Sequence, residues 1–426
     1  MLNSKNEREL AYLAKVTDIK PMDAERLETV YINGWTCVAG KNEFKVGDIG
    51  VFFEPDSQLP EVEPFVNIEF LKSKKYKIKP QKIRGVVSQG LFMPVSAFGW
   101  IIDEADGSVI IPADKQMGKS DVLSDEGETR FLTERLGVTY ATVEDNQRKS
   151  PSIDKYKKMA QRRPEIFKHK WAQWFMRRDW GKKVMFALFG KKRDKRNSFP
   201  AWVVKTDEER CQNMPWLFTE SARKMKWIAT EKVDGTSTTF TMKGFGKKRE
   251  FLVCSRNVCF DCKEKGQKCF YDTNVYTEMA QKYNMYDALN NALTKEHDND
   301  SDVEFVTIQG ETYGGAIQKR NYGDEHKLAI FNVIIGYKDG HTRRLNPVEM
   351  ADYLVGIQPA GSPTLQHVPI VDTDFYLPET CDELLVKAHG ESKVDGGWRE
   401  GLVFRSEDGA QSFKAVDPEY LVKYHG

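Results

Sequence analysis

The tetrapeptide KVDG occurs twice, as Lys232–Gly235 in EKVDGTSTTF and as Lys393–Gly396 in ESKVDGGWRE. A lysine amine attacks phosphorus only when deprotonated, so its pKa has to be lowered by burial and nearby positive charge. Carboxylates beside such a lysine can hold Mg²⁺, which supplies that charge and neutralises the phosphate under attack. The residues downstream of each copy separate the two. Lys232 precedes nearly 200 residues carrying SRN (255–257), GETYGGAIQKRNYG (310–323), LAIFNVIIG (328–336), REGLVFRS (399–406) and SFKAV (412–416). Lys393 precedes only 33 residues, too few to fold a pocket around it. Lys232 is therefore the candidate nucleophile, and Lys393 is expected to be a solvated lysine before an Asp-Gly turn.

The elements that must position these residues lie in a chain of 426 residues, long enough to expect two domains. An apolar content of 40%, with 24 Phe, 16 Tyr and 9 Trp, implies a folded chain rather than a disordered one. No secretory signal is visible at the N-terminus, and the longest apolar runs, such as 184–189, are too short to cross a bilayer. Seven cysteines in a chain of this size argue against a disulfide framework and for a reducing, cytoplasmic setting.

Residues 11–98 read as short β-rich runs broken by NG, VGD and PDSQLP turns, the pattern of a small barrel such as an OB-fold. Beyond Phe199, runs such as KWIATEKVDG, STTFTMKG, DVEFVTIQGETYGG and GLVFRSEDG alternate with the helical NVYTEMAQKYNMYDALNNAL, NPVEMADYLVG and TCDELLVKA. That is an α+β pattern of mostly antiparallel strands with flanking helices. The expected division is an OB-like domain with its extension at 1–150, a linker at 151–198 and a second domain at 199–426. The net charge of +1 hides a basic segment: residues 155–196 hold sixteen Lys or Arg against three acidic residues. It reads as largely helical and interleaves eight aromatic residues. It can bind RNA through phosphates and stacked bases, pack its aromatic face on protein, or rest on an anionic membrane.

The ordered series of motifs resembles the covalent nucleotidyltransferase superfamily of ATP-dependent ligases and GTP-dependent capping enzymes. Its nearest likeness is to ATP-dependent RNA ligases, through GE-x-YG-x-x-IQ, EGLVF and TDEERCQN (206–213). DNA ligases and capping enzymes carry their OB domain after the catalytic domain. Here the β-barrel-like region, with GW, FKVGD, DSQLP and RGVVSQGLFMP, comes first, as in RNA ligases with an N-terminal OB module.

The resemblance implies a nucleotidyltransferase domain that joins RNA 3′-OH and 5′-phosphate ends, with ATP and Mg²⁺ (or Mn²⁺) as cofactors and a role in RNA repair or nick sealing. It implies Lys232 as the nucleophile and Asp234, Glu311 and Glu400 as metal-holding carboxylates. Glu231, Arg210, Gln212, Asn213, Arg256, Glu311, Phe331 and Lys414 are the implied ATP or AMP contacts. Two departures stand out: Lys414 has Ser412 and Val416 two residues to either side where Lys-x-Lys is frequent, and FNV (331–333) replaces FDI or FDV. The alternatives are a DNA ligase, a capping guanylyltransferase, or a non-catalytic RNA-binding protein. Cys254, Cys259, Cys262 and Cys269 invite a zinc reading, but only Cys259 and Cys262 have knuckle spacing, and thiols in a loop insertion are the simpler expectation.

Overall fold

The computed structural model describes residues 1, 8–105, 107–111, 131–140, 164–176, 178, 181–182, 184–185, 188, 197–205, 207–260 and 275–426. Cys262, Cys269 and much of the basic segment lie outside the described residues. The chain forms two compact units, Met1–Thr139 with Asn197–Gly426, and Tyr140–Arg196.

The larger unit opens with strands β1 (Ala11–Pro21), β2 (Leu27–Ile32), β3 (Trp35–Gly40), β4 (Ile49–Phe53) and β5 (Leu91–Pro94). They form one antiparallel sheet in the order β3-β2-β1-β4-β5. β1 serves two neighbours: Ala11–Lys15 pair with β4, and beyond an irregularity at Val16–Asp18 the strand pairs with β2. A bulge bends and twists a strand, which curls the sheet. Along β3, Trp35, Cys37 and Ala39 are buried and alternate with half-exposed residues, the period-two pattern of a strand with one face on a core. Tyr12, Val30, Ile32, Trp35 and Phe52 fill that core.

The remainder of this unit carries two sheets. The first contains β6 (Asn197–Ser198), β9 (Thr236–Lys243), β10 (Glu250–Ser255), β11 (Val258–Phe260), β12 (Val303–Tyr313), β13 (Lys327–Tyr337) and β14 (Thr342–Arg344). Its order is β6-β11-β10-β9-β12-β13-β14. The second contains β7 (Glu209–Arg210), β8 (Lys226–Lys232), β15 (Ile370–Tyr376), β16 (Gly401–Ser406) and β17 (Ser412–Val416), in the order β7-β17-β16-β8-β15. Helices α1 (Val275–Lys282), α2 (Met285–Asn299) and α3 (Pro347–Ile357) bury Met279, Leu289, Leu293, Met350 and Leu354 against the first sheet. Helix α4 (Cys381–Ala388) packs Leu384 and Leu385 against the second. The expected single helical run 274–293 is broken at Asn284, whose φ of 46° is left-handed and ends one helix before the next begins. With side chains alternating along a strand, the helices take one face of β12 and β13. Glu311, Tyr313, Ala329 and Phe331 are left on the other.

In the smaller unit, helices Pro164–Phe167 and Lys170–Met176 bury Phe167 and Ala172 with Met185, while Trp171 and Trp174 remain about half exposed. Among the described residues no helix is long and apolar enough to cross a membrane.

The OB-like sheet is tied to the segment that follows β7 by a buried carboxylate. Glu54 accepts from Arg8 Nη2 at 3.0 Å, Tyr12 Oη at 3.1 Å and Asn213 Nδ2 at 2.9 Å. Asn213 Oδ1 in turn accepts from Trp35 Nε1 at 2.7 Å. Removing one partner of a buried pair leaves an uncompensated charge, a cost of about 3–5 kcal/mol. Glu54→Ala is expected to lower unfolding stability by about that amount, read from urea denaturation of the full chain.

Candidate active site

Lys232 ends β8 opposite Gly401 of β16, so Glu400, the residue before that glycine, stands beside the lysine amine. The amine donates to Glu400 Oε2 at 2.7 Å; about a quarter of the lysine side chain is exposed (26%) against 8% for Glu400. Two glycines make this approach possible. A Cβ on Gly401 would collide with the Ala415 carbonyl, and one on Gly235 would collide with the Thr312 carbonyl. The glycine of the first KVDG thus lets the turn after Lys232 press onto β12, next to Glu311.

Asp234 is buried, and its Oδ2 accepts from Tyr420 Oη at 2.9 Å and from His425 Nε2 at 3.1 Å. Its backbone N–H donates to Tyr322 Oη at 3.2 Å. The charge balance here is negative. Burial pushes the Glu311 carboxyl up, the charges of Glu400 and Asp234 push the same way against Lys232, and the result is a pKa of about 8. Burial also raises Glu400. Burial opposes ionisation of Asp234 too, but the hydrogen bonds from His425 and Tyr420 and the Lys232 charge hold it below the usual range.

Lys232 feels the reverse. Burial pulls its pKa down, yet Glu400, Glu311 and Asp234 outweigh burial and hold the ammonium well above the usual lysine range. The protein's own charges therefore act against the deprotonation that a nucleophile needs. The donor set fits a divalent cation: oxygens of Asp234 and Glu400 and a ring nitrogen of His425 lie within 4.8 Å of one another in a buried pocket. A cation held there would supply the positive charge that favours loss of the lysine proton and would screen phosphate oxygens.

The cationic side of the cleft is built on β7 and β17, paired in parallel so that Arg210 lies opposite Lys414. Burial lowers the Lys414 pKa to about 8, against the pull of Asp207. Asp207 accepts from Lys414 Nζ at 2.9 Å and pairs with the Arg256 guanidinium. Among the described residues, Arg210 Nε and Nη1 and Gln212 Nε2 are buried donors without a hydrogen-bond acceptor, an arrangement that suits anionic oxygens. Arg210 lies over the Trp35 ring at 5.4 Å.

The other expected residues lie around these two walls. Phe331 is half-buried against Val233, Tyr313, Tyr322, Ala329 and Val368. Glu231 points away from Lys232, and its carboxylate accepts from the Ser392 hydroxyl and from Lys393 N at 2.7 Å. The second KVDG is thus a loop clasped from behind the first, with Lys393 Nζ donating to the Ile370 carbonyl at 2.8 Å. Ser412 donates to Glu208 and accepts from Arg344 Nη1 at 3.1 Å, so an arginine from β14 stands where a second lysine was absent. Cys254 and Cys259 are buried on paired strands.

Sequence reasoning missed Asp207, Tyr322, Tyr420 and His425. Asp207 lies in the TDEERCQN run and had a signal in its acidic triplet. His425 had none, being 191 residues from Asp234.

Residues 10–95 match an OB-fold domain family, and residues 225–425 match the RNA ligase family. Residues 225–425 thus carry an RNA ligase domain. Among solved structures, a Naegleria gruberi RNA ligase variant with ATP and Mn is 27% identical at a TM-score of 0.65, covering 98% of this chain and 100% of that one. A second variant, with AMP and Mn, and the same ligase with PPi are each 26% identical at a TM-score of 0.65, covering 98% of this chain and 99% of theirs. No curated protein matches the chain with significance. The ligase domain and the preceding OB-fold domain thus occur in the expected order.

The raised Glu311 pKa has a consequence for stability with cation chelated. Below about pH 4.5 the carboxyl is protonated both folded and unfolded, and its burial carries no ionisation penalty. Between about pH 4.5 and 8 only the folded form keeps the proton, so stability is lost as pH rises, fully so above about pH 8. Glu311→Gln is expected to exceed the parent in stability by roughly 1–3 kcal/mol at high pH. That gap closes as pH falls toward 4.5, as measured by urea melts in EDTA.

Proposed function

We propose that this ATP-dependent RNA ligase joins RNA 3′-OH and 5′-phosphate ends and acts in RNA repair or nick sealing. The observation that carries the reading is the Lys232 amine held 2.7 Å from Glu400, with Asp234 and Glu311 converging on it. The amine of Lys232 attacks the α-phosphorus of ATP; a phosphorus–nitrogen bond forms and pyrophosphate leaves. An oxygen of the RNA 5′-phosphate then attacks the AMP phosphorus, and the amine is released. The RNA 3′-OH finally attacks the 5′-phosphate, forming the phosphodiester and expelling AMP. Each step is in-line displacement at phosphorus, governed by positioning and charge neutralisation.

In this reading Asp234, Glu311 and Glu400 hold Mg²⁺ or Mn²⁺. Arg210, Gln212, Arg256 and Lys414 hold nucleotide phosphates and Phe331 offers its ring to adenine, while Asn213, whose amide donates to Glu54 and Glu209, braces the wall behind them instead of contacting ATP. Glu231, by clasping the 391–397 loop, acts on the nucleotide side through that loop. Residues 1–150 serve as the OB domain with its extension, 151–198 as a basic linker and 199–426 as the adenylyltransferase domain. A reducing cytoplasmic setting belongs to the same proposal, supported by an odd number of cysteines, seven in 426 residues.

Mass spectrometry after incubation with ATP and Mg²⁺ is expected to find a single AMP on Lys232. Lys232→Ala should carry none, and Lys393→Ala, which keeps the backbone N–H bonded to Glu231, should carry as much as the parent. An adduct that tracks with Lys393 sinks the assignment, and an adduct formed from GTP in preference to ATP sinks the ligase reading. Sealing of nicked duplexes with an RNA rather than a DNA 3′-OH strand is expected.

A further inference from the structure

The turn Leu421–His425 is wider than an α-helical turn, of the π type. In an α-helix, positions five apart lie about 140° apart around the axis. A turn closed by i→i+5 hydrogen bonds brings them back to one side. Tyr420 and His425 are five apart, and both reach the same oxygen of Asp234. Continuing as regular α-helix would turn one of them away.

The turn is also anchored. Asp417, whose side chain caps the short helix Pro418–Tyr420 that leads into the turn, accepts from Glu419 N at 2.9 Å and Trp398 Nε1 at 2.7 Å. The Gly426 carbonyl accepts from Lys79 Nζ at 3.1 Å and Lys319 Nζ at 3.4 Å. The imidazole is thus aimed at the carboxylates by structure on both sides of it.

We propose that His425 is a direct ligand of the divalent cation held by Asp234 and Glu400, and that its nitrogen makes the site favour Mn²⁺ over Mg²⁺. This rests on the ligase reading for the presence of a cation in the cleft. Mg²⁺ prefers oxygen donors and keeps its waters, whereas imidazole suits transition metals. The three donor atoms are close enough together to share one ion. The hydrogen bond from Tyr420 fixes the Asp234 carboxylate, the kind of outer contact that orients a ligand.

The test compares the full chain with His425→Ala and His425→Gln, without ATP. Mn²⁺ titration is monitored by the paramagnetic resonance of the free aqua ion, and Mg²⁺ is measured by competition. Both variants are expected to bind Mn²⁺ at least about tenfold more weakly, with Mg²⁺ affinity falling less than about threefold. Pulsed resonance should show a directly bound ¹⁴N in the parent and none in either variant. Bound Mn²⁺ without nitrogen coupling in the parent overturns the proposal, as does wild-type Mn²⁺ affinity in His425→Gln, which keeps a hydrogen-bond donor near Asp234. Thermal melts in EDTA identify a variant that fails to fold, and nitrogen coupling in the parent decides without any variant. A parent that binds Mn²⁺ through nitrogen yet takes no AMP leaves this site standing and ends the ligase reading. An AMP adduct without nitrogen coupling does the opposite.

Discussion

One ammonium facing three carboxylates in a buried cleft is the interaction on which the rest of this structure depends. An ordinary lysine at neutral pH is already deprotonated in only about one molecule in 10³. The surroundings of Lys232 push that fraction lower still, because Glu400, Glu311 and Asp234 outweigh burial. The Lys232 amine is thus held protonated by the same groups that can hold a cation. Charge entering the cleft changes both conditions at once: the carboxylates gain a counter-ion, and the lysine loses the reason to stay protonated. Such an arrangement ties the reactivity of the amine to the presence of metal.

The opposite wall of the cleft has the opposite problem. Arg210, Arg256, Lys414, Arg405 and Arg344 converge on a short acidic run, and each acid neutralises a different subset. Asp207 takes Lys414 and Arg256, and Glu208 takes Arg405 and Arg344. Glu209 turns to the backbone of Arg210 and to Asn213. The OB-like sheet completes this wall. A Cβ on Gly34, at the tip of the hairpin joining β2 and β3, would lie 2.7 Å from Gln212 Cα, so the hairpin reaches the phosphate-facing residues only with glycine there. Trp35 comes next, under Arg210 and bonded to Asn213. The N-terminal module therefore shapes the anion-facing wall as well as preceding it in the chain.

Much of this was legible in the amino-acid order, for reasons particular to each element. Strands β8, β9, β12, β13, β16 and β17 coincide with runs rich in β-branched, aromatic and aliphatic residues, because both sheets are largely buried. Lys232, Glu311 and Glu400 come together in the cleft, and each lies within three residues of a glycine that was visible as a local signal. Strand β15 was missed, since Asp372, Thr373 and Asp374 face solvent and give it no apolar pattern. His425 was missed because nothing local marks it: its role comes from a wide turn that only tertiary anchoring by Asp417, Lys79 and Lys319 explains. The lysine pKa was expected to fall through burial and a carboxylate-held cation; with the protein's own groups alone it rises, because spacing shows which carboxylates are near but not that their sum exceeds desolvation.

The two KVDG copies show how little the four residues specify by themselves. Gly235 needs its missing side chain for contact, lying against the Thr312 carbonyl, and it carries Asp234 into the cleft. Gly396 needs it for conformation, at φ 72°, in an open turn where a Cβ would meet only a carboxylate oxygen at 3.4 Å. Asp395 spends its charge on Arg320, and Lys393 its amine on a backbone carbonyl. Yet the second copy is not idle in the fold, since its backbone satisfies Glu231, the buried carboxylate immediately before the nucleophile. Those hydrogen bonds offset the cost of burying the Glu231 carboxylate behind Lys232. The loop therefore contributes through its N–H groups and the Ser392 hydroxyl, and the lysine that made it look catalytic is the part the site does not require.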